Sequence, residues 1–148
     1  MEESRAIPVS VEDDCIEEWG IEEEMLPTAQ DPVEDAFGVR RYRITLRAPD
    51  ARQWSGEATD IFECLIELRK QIEPLGLRTC CNGARLDAWA SGMQRDMGGG
   101  AFVYLLDGVP PKQAPPQVNT LDPAPLDTIA SVADQRAWHD EWRRHRRR

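Results

Sequence analysis

Residues 60–75 constrain the fold more than any other stretch of the chain. Ile61, Leu65, Leu68, Ile72 and Leu75 recur at steps of three or four, which lays one apolar stripe along a helix. Phe62 and Ile66 widen that stripe. Asp60 stands where its carboxylate meets the first free amides, and Glu63 holds the capping-box position three residues later. Gly76 supplies a left-handed stop. Arg69 and Glu73 form an i, i+4 pair that is expected on the outer face. About 16 residues at 1.5 Å each give roughly 24 Å, the span of seven or eight strand residues. Such a helix needs a sheet beneath it.

Arg41-Tyr-Arg-Ile-Thr-Leu-Arg-Ala provides a first strand of that sheet. Tyr42, Ile44, Leu46 and Ala48 fall on one face, with Arg41, Arg43, Thr45 and Arg47 on the other. A turn is expected at Ser55-Gly56, between this strand and the helix. Further strands are expected at 77–81, at 85–90 and at the apolar run 101–106, with Asn82-Gly83 as a turn. Gly108 to Pro116 holds four prolines and reads as a linker. A last helix is expected from Pro125, with Leu126, Ile129, Ala130, Ala133, Ala137 and Trp138 facing inward. The fold class is therefore α+β: a small two-layer sandwich with an antiparallel or mixed sheet of three to five strands. One main helix packs on the sheet, and a second helix closes the chain.

The formal charge of −9 is unevenly spread. Residues 1–36 hold 13 acidic residues against the single Arg5, whereas residues 37–142 hold 14 acidic and 12 basic ones. The last six residues, 143–148, read RRHRRR. This suggests an acidic N-terminal arm over 1–36, partly disordered, then one domain over 37–142 and an arginine-rich tail. Two readings of the arm stand side by side. High charge and prolines describe a solvated tail. Ile16, Trp19, Ile21, Met25 and Leu26, set among Glu17, Glu18, Glu22, Glu23 and Glu24, describe a docking segment. In that second reading the carboxylates steer a basic partner and Trp19 anchors it.

Several function classes are disfavoured. No run reaches the roughly 18 apolar residues of a membrane span. The N-terminus lacks the basic-then-apolar pattern of a signal peptide, so the expected location is cytoplasmic. The terminal arginines have no interleaved aromatics and belong to an acidic chain, which argues against nucleic acid as the primary partner. Cys15, Cys64, Cys80 and Cys81 show no metal-ligand spacing and read as reduced thiols; no metal or cofactor is expected. Up to Trp138 there is no histidine, and no G-x-S-x-G elbow occurs. A non-catalytic protein is expected.

Ser91-Gly-Met-Gln-Arg-Asp-Met-Gly-Gly-Gly is the unusual segment. Gly98, Gly99 and Gly100 give access to positive φ, and two readings follow. One is an anion-binding nest of backbone amides with Arg95 beside it. The other is a flexible hairpin loop with Met93 and Met97 tucked under the sheet. Asn82-Gly-Ala-Arg-Leu-Asp-Ala-Trp-Ala-Ser-Gly-Met, with Met97-Gly-Gly-Gly and Tyr104, resembles a family of small uncharacterised bacterial proteins associated with toxin–immunity settings. The resemblance covers roughly residues 41–142. It implies that Arg85, Asp87, Ser91, Gly92, Met93, Met97 and the three glycines form a shared structural or binding element, and it carries over no catalytic residue. The acidic arm before Phe37 departs from it. The expected function is protein binding, of the immunity or inhibitor type, toward a basic partner. The alternative is an anion or small-ligand site at Gly98–Gly100.

Overall fold

The computed structural model describes residues 5–27 and 40–146. Its larger sheet is antiparallel throughout, in the order β4-β3-β2-β1-β5. The strands are β1 (Arg5–Ser10), β2 (Ile16–Met25), β3 (Tyr42–Arg47), β4 (Gln53–Ala58) and β5 (Arg78–Thr79). Helix α1 (Ile61–Ile72) lies against one face of this sheet. The capping expected at Asp60 is present, its carboxylate accepting from the Glu63 amide at 2.8 Å.

The segment expected to be an acidic arm is half of this sheet's core. Residues 5–25 form the β1–β2 hairpin, and β2 pairs with β3 along Gly20↔Arg47 to Met25↔Tyr42. The physical reason is period-2 patterning. Ile7, Val9, Trp19 and Ile21 point to the helix, while Glu18, Glu22 and Glu24 alternate away from it. Trp19 is 1% exposed and stacks on Trp54 at 5.8 Å, so it is a core residue and not a partner anchor. Residues 1–4 and 28–36 of the expected arm, 37–39 of the expected domain and 147–148 of the expected tail lie outside the described residues.

Other expectations change in detail. Ser55-Gly56 lies inside β4, where glycine is required because α1 sits directly on the strand: a Cβ on Gly56 would clash with Cys64 O and stand 2.8 Å from Leu68 N. The strands expected between residues 77 and 106 split between two sheets. β5 joins the large sheet, whereas β6 (Ala88–Trp89), β7 (Phe102–Leu105) and β8 (Gln117–Asn119) form a small antiparallel one with β7 central. Phe62 and Ile66, the widening of the α1 stripe, pack on that second sheet with Ala88, Ala90 and Val103. One helix thus serves two cores.

Between β6 and β7 lies a short helix, α2 (Gly92–Gly98). The last helix, α3, runs over Val132–Arg146, preceded by a 3-10 turn at Leu126–Thr128. Its inward residues are Gln135 and His139; Ala133 and Ala137 are exposed. Four residues of the expected tail, 143–146, continue this helix.

Arg69 is the largest departure from amphipathic expectation. It is buried, not on the outer face, because α3 covers it. Its guanidinium donates to Gln135 Oε1 at 2.6 Å, Ala130 O at 2.7 Å and Glu73 Oε2 at 3.3 Å. Gln135 in turn donates to the carbonyls of Gly83, Arg85 and Ala88. Glu73 accepts from the Val132 amide at 3.1 Å and so caps α3. A buried charge persists only when its donors are met, and these are.

Candidate functional site

Three chain reversals converge at the C-terminal end of α1. The β1–β2 reversal is closed by Val11 N donating to Cys15 O at 2.8 Å and Cys15 N to Glu12 O at 3.1 Å. The β3–β4 reversal is closed by Ala48 N donating to Arg52 O at 2.8 Å. The third is the exit of α1 through Gly76, whose φ is 80°. Together they enclose an open groove of about 650 Å³.

Glu12, Asp13, Asp14, Glu17 and Asp50 rim this groove, against Arg52 and Arg78. Val11, Trp19, Ala48, Leu75 and Leu77 supply its apolar lining. Glu17 accepts from the Trp19 indole N–H at 2.9 Å, and the Arg52 backbone N–H, with its guanidinium, holds Asp50 below the usual carboxylate value. No ion pair engages Glu12, Asp13 or Asp14 among the described residues. The carbonyls at the end of α1 add partial negative charge at the same place.

Backbone strain gathers here as well. Asp13 (φ 56°), Asp14 (φ 57°) and Ala51 (φ 76°) are three of the four non-glycine residues with positive φ among those described. Aspartate tolerates this region, whereas alanine held there costs of order 1–3 kcal/mol, the kind of strain that collects at functional sites.

The carboxylates of β2 divide by strand position. Glu17 reaches the groove. On the open sheet face Glu22 pairs with Arg47 at 2.8 Å and Glu24 with Arg43 at 2.9 Å; Arg43 also bonds Glu57 at 2.8 Å. Glu23 stands 3.9 Å from Arg5, and Glu18 is exposed. Glu23 and Glu24 also reach a second, smaller hollow of about 250 Å³, where they meet Met25, Tyr42, Ile61, Gly98, Gly99 and Ala101. Two segments that stood apart in the sequence therefore meet at the N-terminal end of α1.

That glycine segment is built as framework. Ser91 caps α2 in a reciprocal capping box with Gln94, and Arg95, Met93 and Met97 lie on the helix that follows. Gly99 and Gly100 take φ of 63° and 71°. Their amides both donate to Gln94 O, the Ala101 amide donates to Gly98 O, and Gly99 O accepts from Ile61 N at 2.7 Å. The expected anion nest is thus not formed, because its donors close α2. Arg95 is not available to an anion either: it bonds Glu63 at 3.1 Å, lies 3.7 Å from Asp60 and stands over the Phe62 and Trp89 rings. Met93 and Met97 are 72% and 82% exposed, not tucked under the sheet, because they occupy the outer face of α2. Gly92 and Gly98 have open space where a side chain would stand. Arg85 and Asp87 pair with each other at 3.0 Å, away from both hollows.

The three buried thiols and the inner histidine are poor reagents. Burial pushes Cys64 up to about 12 and Cys81 up to about 11, and it also raises Cys80. His139 is stacked 4.1 Å from Trp89 and 5.9 Å from Trp142; burial, with Arg143 and Arg95 nearby, pushes it down to about 4. Among the described residues no group of three or more His, Cys, Asp or Glu side chains converges as a metal site, and no helix is long and apolar enough to cross a membrane.

Sequence reasoning missed Glu12, Asp13, Asp14 and Asp50 as one constellation. It also missed Arg69, although Arg69 stands four residues after Leu65 and three before Ile72, within the apolar stripe itself. No protein-family model matches the chain, and a search of curated proteins returns no match.

Proposed function

We propose that this chain is a non-catalytic protein-binding protein of the immunity or inhibitor type, which holds a basic partner in the groove at the C-terminal end of α1. The observation that carries this reading is the pairing of five carboxylates with an apolar lining around about 650 Å³. That size lies within the range of binding clefts. Lysine and arginine side chains match both halves of it, with apolar stems for Val11, Leu75 and Leu77 and cationic heads for the rim. Acidic rims of this kind accelerate encounter with cationic surfaces, while the contacts beneath set the lifetime.

The non-catalytic part of the proposal draws on the raised thiols and the stacked, depressed His139, none of which suits a nucleophile or a base near neutral pH. The toxin–immunity association draws on the resemblance of residues 82–104. A cytoplasmic location fits the free thiols of Cys64, Cys80 and Cys81.

The test is titration of the full chain with a fluorescent oligoarginine peptide at several salt concentrations, beside an oligoglutamate control. Binding of the arginine peptide alone is expected, weakened by added salt. Asp13→Asn with Asp14→Asn should lower affinity by on the order of threefold per charge. Equal affinity for the two peptides, or an unchanged affinity in the double variant, would contradict the proposal.

A further inference from the structure

The chain carries, at the pole opposite its acidic groove, a cationic element of the class that the groove is suited to hold. α3 begins beside the last turn of α1, where Glu73 accepts from the Val132 amide and Arg69 holds Gln135. From there it runs toward the first turn of α1. His139 stacks on Trp89, over which Arg95 lies, and Arg95 is bonded to Glu63. The two helices are therefore antiparallel. Fifteen residues at 1.5 Å make α3 about 22 Å long, which carries its basic end well away from the groove.

Beyond Trp142 this helix has little to rest on. Arg143, Arg144, His145 and Arg146 are all exposed. Glu141 occupies Arg144 and His145, and Arg146 lies over the Trp142 ring. Arg143 and Arg146 have no carboxylate partner among the described residues, just as Glu12, Asp13 and Asp14 have no cation. Opposite poles of one chain cannot satisfy each other within that chain.

We infer that the basic end of α3 docks into the acidic groove of a second copy of this chain. The inference rests on the reading of the groove as a site for cationic side chains, and it names one occupant. The complementarity is local: Arg143 and Arg146 lack carboxylate partners and Glu12, Asp13 and Asp14 lack cations among the described residues, and their pairing acts against the mutual repulsion of two chains of net charge −9. The contact joins two different patches, so it builds open head-to-tail chains or closes into rings. It is also small. The groove admits one or two arginine side chains, not a whole helix, so association is weak and occurs at high protein concentration. A basic protein partner and a second copy compete for the same carboxylates.

The experiment is sedimentation velocity of the full chain over a range of concentrations, in about 0.01 M and about 1 M salt, where the Debye length falls from about 30 to about 3 Å. At low salt the average mass should rise with concentration, at least twofold over the monomer at the upper end, and return to monomer at high salt. Arg143→Glu with Arg146→Glu, and separately Asp13→Asn with Asp14→Asn, should each stay monomeric while keeping the wild-type circular dichroism. An equimolar mixture of these two variants retains one intact groove and one intact helix end, so it should form a dimer and stop there. A monomer at every concentration, or association that survives in either variant, overturns the inference. Binding of duplex DNA that is lost with the arginine variant, without self-association, would assign α3 to nucleic acid and overturn it as well. The oligoarginine titration separates the two failures: a monomeric chain that binds the peptide keeps the groove reading, and one that does not loses both.

Discussion

The two ends of helix α1 have opposite economies of charge and hydrogen bonding. At the N-terminal end, Asp60 caps the helix, Arg95 is held by Glu63, and the amides of Gly99 and Gly100 are spent on Gln94. At the C-terminal end, Glu12, Asp13 and Asp14 stand around a groove and engage in no ion pair among the described residues. Unusual residue types occur at both ends, and only the accounting of partners separates them. Groups that satisfy one another make framework; like charges left facing one hollow make a site.

Substitutions can break or sharpen this contrast. The largest effect is expected at Arg69, which ties α1 to α3 between the two ends. Arg69→Ala leaves Gln135, Glu73 and the Ala130 carbonyl without their shared donor, a loss of about 3–5 kcal/mol in chemical denaturation. Arg69→Met, which keeps the stem, should lose less.

Next come the glycines of the N-terminal end. A Cβ on Gly100 would lie 2.7 Å from Asp60 Oδ1 and 2.8 Å from Phe62 N, at a φ of 71°. Gly100→Ala should therefore cost about 3 kcal/mol. Gly98 has open space, and Gly98→Ala should be close to neutral. Equal effects at the two positions would mean that the segment is not the framework described above.

Acid should act on the same end. The pKa of His139 is depressed on folding, from 6.5 to about 4, so the unfolded chain binds the proton more readily than the folded one. Its stabilising contribution is fully present above about pH 6.5 and is lost as pH falls toward 4, with a size on the order of 2 kcal/mol. Thermal unfolding between pH 7 and 4 should show this fall, and His139→Phe should flatten it.

Much of the framework was legible because it is periodic. The α1 stripe from Ile61 to Ile72, its Asp60 cap and the alternation of β3 appear in the structure as read; Leu75, read as the end of the stripe, lies in a 3-10 turn beyond the helix and is exposed. The β1–β2 hairpin was hidden by composition. Glu18, Glu22 and Glu24 lie on the outward face of β2, and a high density of negative charge masked the alternation of Ile7, Val9, Trp19 and Ile21 beneath it. Arg69 was hidden because burial of a charge depends on Gln135, 66 residues away. The groove was hidden for the same reason of distance: Asp13, Asp50 and Leu75 come together only when three separate reversals meet. The glycine triplet misled in the other direction, because a permissive backbone looks alike whether its amides are free or already spent.

The most direct test of the contrast is a two-dimensional amide NMR titration of the full chain with oligoarginine peptide. The account predicts shifts concentrated in Val11–Glu17, Ala48–Arg52 and Leu75–Arg78, with Gly98, Gly99 and Gly100 unmoved and Asp13→Asn with Asp14→Asn moving the midpoint to about tenfold higher peptide concentration. Shifts centred on the glycine segment, or spread evenly over the surface, would contradict it.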